Sequence, residues 1–286
     1  MKKIGLCLAG GGIKGAAHIG ALKAMEEEKI QFSYISGTSS GSIVATLYAI
    51  GYTPSEIYSL FKKYGKKIKY VDIKNVFKGI YGLLIKRKII IKGLNSGKII
   101  EDIINEARRK KGIKNIKEIK MPLLIPTVNL KNGSVHIFSS REVRHKIHDD
   151  VIYINDANIG KVVRASCSFP VVFEPCYYMN RYFIDGGIRE NIPWKETKKM
   201  GAEKVISIIF ENELKSNCCN NLIDIASRSL EIMEHELANY EVEGADYLLK
   251  IKGKNISLLD IEKMDLLYEQ GYRQTKNKIN EIKKLI

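Results

Sequence analysis

Short continuous apolar runs alternate along the chain with longer stretches in which apolar residues return every three or four positions. Residues 4–9 form the first run, which stops at Gly10, Gly11 and Gly12, and a helical pattern over 16–28 follows. A second run, 32–36, ends in Gly37 and passes into another helical stretch at 42–50. Apolar runs too short for a helix and closed by glycine read as buried strands. Strand, glycine turn and helix, given twice in succession, predict parallel strands joined by crossovers. The expected fold class is therefore α/β, a central and mostly parallel sheet flanked by helices, with any site in the loops at the carboxyl ends of the strands.

Beyond Pro54 the pattern predicts helices at 55–67 and 97–111. In the second, Ile99, Ile100, Ile103, Ile104 and Ala107 share one face, and Arg108, Arg109, Lys110 and Lys111 gather at the carboxyl end, where a helix dipole favours cations. Between the two helices, residues 81–91 read apolar, basic, apolar. Strand character resumes at 122–130, and Asn132-Gly133 predicts a hairpin turn into 135–139. Further strands are expected at 176–179, 181–185, 205–210 and 247–251, with helices at 221–241 and 260–284. No repeat and no linker rich in Pro and Ser divides the chain. It reads as one domain, with its main body over 3–200, a basic helical cap at about 61–120 inside that body, and the strands and helices of 201–286 completing it.

Composition adds a core and a charge. With 45% hydrophobic and 28% charged residues in 286, there is ample apolar material for a buried interior and no case for disorder. The formal charge of +15 is concentrated: residues 61–120 hold 19 Lys and Arg against 5 Asp and Glu, a surplus of +14, which leaves +1 for the remainder. A block of one sign attracts phosphate-bearing partners, either nucleic acid or an anionic membrane surface. No nucleic-acid reader motif accompanies it, and Tyr64, Tyr70, Phe77 and Tyr81 do not make a stacking platform. The apolar start is too short for a signal peptide, and no apolar run is long enough for a spanning helix. Five cysteines, odd in number and unpatterned, fit the reduced thiols of a cytosol. His145 and His148 lack further ligands, and no metal site is expected. A cytoplasmic protein is expected, with a peripheral position on the inner membrane surface as the role for its basic segment.

Three motifs carry chemistry. Gly37-Thr38-Ser39-Ser40-Gly41 is a G-x-S-x-G between a predicted strand and a predicted helix, the context in which a sharp turn exposes the serine hydroxyl. A plain glycine turn would carry the same letters. Gly10-x-Gly12-x-x-Gly15 spells a dinucleotide fingerprint, but the second strand ends in Ser36-Gly37 where an acidic residue would hold a ribose. Ala16 stands where a P-loop needs lysine. What remains is a glycine loop with free N–H groups at a helix start, beside a candidate nucleophile, with Lys14 adding positive charge; this suits an oxyanion hole. None of the histidines (His18, His136, His145, His148, His235) sits at a strand end. Asp185 does, and Gly186-Gly187 follows it, presenting either a carboxylate with space around it or a simple Asp-Gly turn.

Together these motifs resemble the patatin-like phospholipase family and follow its order. Gly10-Gly11-Gly12-Ile13-Lys14-Gly15 is similar to its oxyanion loop, Gly37-Thr38-Ser39-Ser40-Gly41 to its nucleophile elbow, and Asp185-Gly186-Gly187 to its Asp-Gly-Gly/Ala motif. Arg164-Ala165-Ser166-Cys167-Ser168-Phe169-Pro170, Asn191-Ile192-Pro193 and the tail around Asp260 and Gly271-Tyr272 also look alike, so the resemblance runs from residue 3 to about 280. It implies a three-layer patatin-like fold with a basic cap, and a Ser–Asp dyad without histidine. By that carry-over Ser39 attacks the acyl carbonyl, Asp185 takes its proton and later activates water, and N–H groups near Gly11, Gly12 and Ile13 hold the oxyanion. No calcium or other cofactor is implied. One departure stands out: many relatives carry Thr-Asp-Leu where this chain has Val128-Asn129-Leu130, which touches local loop packing rather than the motifs.

The leading expectation is a serine acyl hydrolase of phospholipids or lysophospholipids, docked by residues 61–120 on an anionic membrane. Acyl transfer or neutral-glyceride hydrolysis would use the same dyad, and a lipid panel separates them. A nucleic-acid-binding module or a catalytically silent lipid binder is the reading from another class, and the intact Ser39 and Asp185 argue against the silent binder.

Overall fold

A computed structural model describes residues 2–65, 92–143, 150–211, 222–253 and 261–286. Its strands are β1 (Ile4–Leu8), β2 (Tyr34–Gly37), β3 (Leu123–Asn129), β4 (Val135–Ser139), β5 (Val151–Ile154), β6 (Cys176–Tyr178), β7 (Arg181–Asp185), β8 (Lys204–Glu211) and β9 (Tyr247–Lys252). The helices are α1 (Gly15–Glu27), α2 (Ser40–Ala49), α3 (Pro54–Gly65), α4 (Lys98–Lys110), α5 (Ile159–Ser166), α6 (Trp194–Lys199), α7 (Leu222–Glu241) and α8 (Met264–Leu285).

The strands join in one sheet of order β5-β4-β3-β2-β1-β8-β9, and β7 pairs with both β3 and β6. The pairs β1–β2, β1–β8, β2–β3, β4–β5 and β8–β9 are parallel, as the strand–turn–helix pattern requires. Gly133, at φ +74°, turns β3 into antiparallel β4, as Asn132-Gly133 predicts. Alternation along β1 divides the interior. Ile4, Leu6 and Leu8 face a large cluster containing Ala17 and Ile19 of α1, Val44 and Leu47 of α2, Ile104 of α4, Val162 of α5 and Leu267 of α8. Cys7 and Ala9 face Trp194 and Val205 on the opposite side, with Ala238 of α7 packed there. The result is helix, sheet, helix in three layers.

The edge of β3 positions the site. Its first residues pair with β2 (Ile35 with Leu123, Ser36 with Leu124) and its last with β7 (Thr127 with Asp185, Asn129 with Phe183). Because β2 runs parallel and β7 antiparallel to β3, their carboxyl ends meet head to head opposite Pro126. Leu123 and Asn129 bond toward β4, so alternation turns Pro126 to this gap, where a missing N–H costs no ladder bond.

Three elements escape the periodicity reading. The edge strand β5 has no clear alternation of burial, and α5 and α6 have eight and six residues. Each is too short for its period to show; α5 starts where the Asn158 carboxamide accepts the Lys161 N–H at 3.0 Å. The last helix begins at Met264 after a turn of 3₁₀ helix rather than at 260, a residue outside those described. Residues 66–91, with the apolar, basic, apolar stretch, and Cys218, Cys219, His145 and His148 also lie outside the described residues.

Candidate active site

The turn from β2 into α2 carries Ser39 at φ +50° and ψ −124°, a conformation that L-residues avoid and that costs of order 1–3 kcal/mol. Neighbouring contacts hold it there. Thr38 donates its N–H to Leu8 O at 3.1 Å and its hydroxyl to Glu190 O at 3.0 Å. The Ser39 N–H goes to Ser166 Oγ at 3.0 Å, and the Ser42 hydroxyl donates to Ser39 O at 2.6 Å. Gly41 lies against the backbone carbonyls of Leu8 and Ala9, and a Cβ would overlap them. Ser40 is buried at the first turn of α2.

Across the gap, Asp185 ends β7 with 1% of its surface exposed. Oδ1 accepts the Gly187 N–H at 2.9 Å, and the Asp185 N–H goes to Ser168 O at 3.0 Å. The Ser39 hydroxyl lies beside this carboxylate and favours its charged form without completing a hydrogen bond: Oδ2 is buried with no hydrogen-bond partner among the described residues. Burial outweighs both favourable contacts and pushes the Asp185 carboxyl up to about 7. Gly186 packs against Pro126 O and within 3.1 Å of Thr38 Cγ2, measured from where a Cβ would stand, so the two turns touch.

The glycine loop forms the third side. Gly10 donates its N–H to Asn191 Oδ1 at 2.8 Å, and a Cβ there would stand 3.2 Å from Ser39 Cβ. Gly12 adopts φ +58°, a left-handed conformation that suits glycine, and starts a 3₁₀ turn closed by Lys14 N–H to Gly11 O at 3.1 Å. The amides of Gly11, Gly12 and Ile13 have no acceptor among the described residues. Gly15 opens α1 against Ser40, where an added Cβ would stand 3.0 Å from that side chain's Cβ. Phe210 packs beneath Gly11 and tilts against the His18 ring at 4.6 Å. His18 is buried, its Nε2 donates to Ala9 O at 2.8 Å, and burial lowers it to about 4, so it is a neutral prop under the loop. Burial drives Lys14 down to about 8, offset by Glu231 and Glu234 and reinforced by Arg228.

All fourteen motif residues thus converge on one gap. Sequence reading assigned no part to the groups that brace them. Ser166 and Asn191 fall in segments already singled out, yet their bonds to Ser39 and Gly10 span 127 and 181 residues. Glu241 accepts the N–H groups of Asn191 and Ile192 at 2.8 and 3.1 Å. Glu234 lies with Oε1 3.0 Å from where a Gly187 Cβ would stand. Their signal was available in α7, where Glu231, Glu234 and Glu241 recur on one helical face. Burial raises Glu190 and Glu234 to about 8 and Glu241 to about 7, with neighbouring carboxylates adding to the first two. Among the described residues no three His, Cys, Asp or Glu side chains group as metal ligands. No helix among them is long and apolar enough to cross a membrane.

Comparison with known proteins agrees with this geometry at the level of fold and family. The chain is 31% identical over 241 residues to the Bacillus subtilis protein YqhO, spanning 79% of this chain and 78% of the other. It is 27% identical over 205 residues to lysophospholipase NTE1 of Scheffersomyces stipitis, covering 72% of this chain but 11% of that much longer protein. VipD from Legionella pneumophila shares the fold with a TM-score of 0.53 at 17% identity, over 98% of this chain and 67% of that one. The patatin-like phospholipase family model matches residues 6–198, from the first strand through the Asp185 turn, and the chain belongs to that family.

Proposed function

We propose that the protein is a serine acyl hydrolase that cleaves fatty-acyl esters of phospholipids or lysophospholipids. The observation that carries this reading is the pairing of Ser39, at a strained strand-to-helix turn, with the buried Asp185 carboxylate held near neutrality beside its hydroxyl. Ser39 Oγ attacks the acyl carbonyl while Asp185 takes its proton, and an acyl-enzyme forms as the lysolipid or glycerophosphoryl alcohol leaves with that proton. Asp185, ionised again, accepts a proton from water, whose oxygen attacks the acyl carbon and releases the fatty acid. A carboxylate is a weak base for a hydroxyl, and burial raises its basicity toward the working pH. The amides of Gly11, Gly12 and Ile13 stabilise the oxyanion, each such donor being worth roughly 3 kcal/mol.

The basic segment serves as a dock for an anionic membrane surface. The docking charge is that of residues 61–120, 19 Lys and Arg against 5 Asp and Glu, of which Lys62, Lys98, Lys110 and Lys117 pair with carboxylates among the described residues. Vesicle binding through it rises with anionic lipid and weakens with salt. Labelling of wild type, Ser39→Ala and Asp185→Asn with a fluorophosphonate, followed by a lipid panel, tests the hydrolase. Wild type is labelled and releases fatty acid, Ser39→Ala does neither, and Asp185→Asn loses on the order of a thousandfold in rate. Failure of wild type to be labelled or to cleave any ester overturns the reading, and labelling that persists in Ser39→Ala reassigns the nucleophile.

A further inference from the structure

Helix α7 exposes large apolar side chains along its outer face. None of its 20 residues is buried. Glu231, Glu234, Ala238 and Glu241 occupy one face, turned to the gap between Asp185 and Lys14 and to the Trp194 cluster. On the opposite face Leu222, Met233 and Tyr240 are 78%, 66% and 67% exposed, with Ile225 and Ile232 beside them and Ser229 and Glu236 among them. The helix is anchored at its carboxyl end, where Glu241 holds Asn191 and Ile192 and the Trp194 indole donates to Glu241 O at 2.6 Å. Toward its middle, Glu234 reaches the Asp185-Gly186-Gly187 turn and faces both Asp185 and Lys14 of the glycine loop.

We propose that α7 is an interfacial lid: its outward apolar stripe seats on the surface of the phospholipid aggregate that supplies the substrate, and seating draws Glu234 away from the dyad. The proposal rests on the hydrolase reading for the identity of the substrate. What covers the stripe is argued from its position and charge. The helix that carries it packs over the Asp185 turn and the glycine loop, so its exposed outer face lies where an aggregated substrate must arrive. Glu231 pairs with Arg228, and Asp224 and Glu236 leave no surplus of positive charge to attract an anionic surface, so burial of apolar side chains is the force and a zwitterionic lipid the surface. This docking therefore differs in kind from that of residues 61–120: it is insensitive to salt.

Two measurements test the lid. Ser39→Ala protein is sedimented with phosphatidylcholine vesicles at low and at about 0.5 M salt, which reads docking whether or not the chain is a hydrolase. It binds at both, and adding Ile225→Asp with Met233→Asp weakens binding by roughly tenfold or more. The Ser39-intact double variant then shows a ratio of vesicle hydrolysis to monomeric short-chain ester hydrolysis roughly tenfold below wild type. Leu222→Ser with Tyr240→Ser, at the two ends of the stripe, repeats the test should the acidic pair unfold the helix. Equal binding with and without the stripe overturns the proposal, as does an unchanged ratio. So does a wild-type dimer that the variants dissociate, which would assign the stripe to a second copy of the chain. If wild type cleaves neither substrate while the binding difference holds, the hydrolase reading fails and the docking stands.

Discussion

At the scale of single residues, Asp185 must be buried enough to be a base near neutral pH and still ionised when Ser39 needs it. Protonated Asp185 cannot accept the hydroxyl proton, so with its carboxyl at about 7 the activity rises with pH through that value. A kcat/KM profile on a monomeric ester is expected to fall about tenfold per pH unit on the acid side, with its midpoint near 7. A midpoint near the ordinary carboxylate value would mean that Asp185 is not desolvated when it acts. Ser166 is a positioning residue, its hydroxyl oxygen receiving the Ser39 N–H. Ser166→Ala leaves that amide without an acceptor, a cost of about 1–3 kcal/mol. The expected loss is in kcat more than in KM, because the turn carrying the nucleophile loosens while the glycine loop is untouched. Ser166→Thr, which keeps the oxygen, recovers part of it, whereas a purely structural role would move Tm alone.

Among the elements, the contact of α1 with α8 shows how much a glycine can decide. Gly20 lies on Tyr268 O and Gly271 on Ala17 O, with no space for a Cβ at either. Near the crossing the Tyr272 hydroxyl donates to Glu27 at 2.7 Å, and Lys276 pairs with Glu28 at 2.8 Å. Alanine in place of Gly271 gains about 1 kcal/mol of helix propensity and forces the helices apart, at a cost of about 3 kcal/mol in overpacking. Gly271→Ala is therefore expected to destabilise by about 2 kcal/mol in a denaturant titration; a stabilised variant would show that the crossing has room. Gly271-Tyr272 was readable as a feature of the tail, but its partner on α1 was not. The same limit applies across the site. The glycine loop, the serine turn and the Asp-Gly-Gly turn are local, each a strand closed by glycine, and local pattern placed all three at strand ends. The head-to-head meeting of β2 and β7 at Pro126, the Gly10–Asn191 bond and the hold of Glu241 on Asn191 are pairings over long separations, which no period of 2 or 3.6 encodes. The helix α7 was placed to within a residue, while the exposure of its outer apolar side chains needed the sheet to show which side faced the site.

Over the whole molecule, the carboxyls gathered behind the site set the dependence of stability on pH. Asp185 and Glu241 titrate at about 7 and Glu190 and Glu234 at about 8 in the folded chain, all raised by burial, against about 4 when unfolded. Between those values the folded state binds protons that the unfolded state has lost, so stability falls as pH rises, by up to about 1.4 kcal/mol per pH unit for each group. His18 and His136, lowered to about 4, oppose this only below their unfolded value of about 6.5. Lys14, lowered to about 8, opposes it only above the same value. The window in which the carboxyls prevail is therefore about pH 6.5 to 8. Because Glu234 faces Asp185 and Glu241, and Glu190 faces Glu241, the four carboxyls titrate collectively rather than as separate steps. Tm is expected to drop by several degrees across this window, and Asp185→Asn or Glu234→Gln to raise Tm at pH 8 and flatten the slope. A Tm that is level or rising from pH 6.5 to 8 would show that these carboxyls are hydrated. The two profiles run against each other through the same residues: the proton that Asp185 must lose for Ser39 to act is one whose retention stabilises the fold.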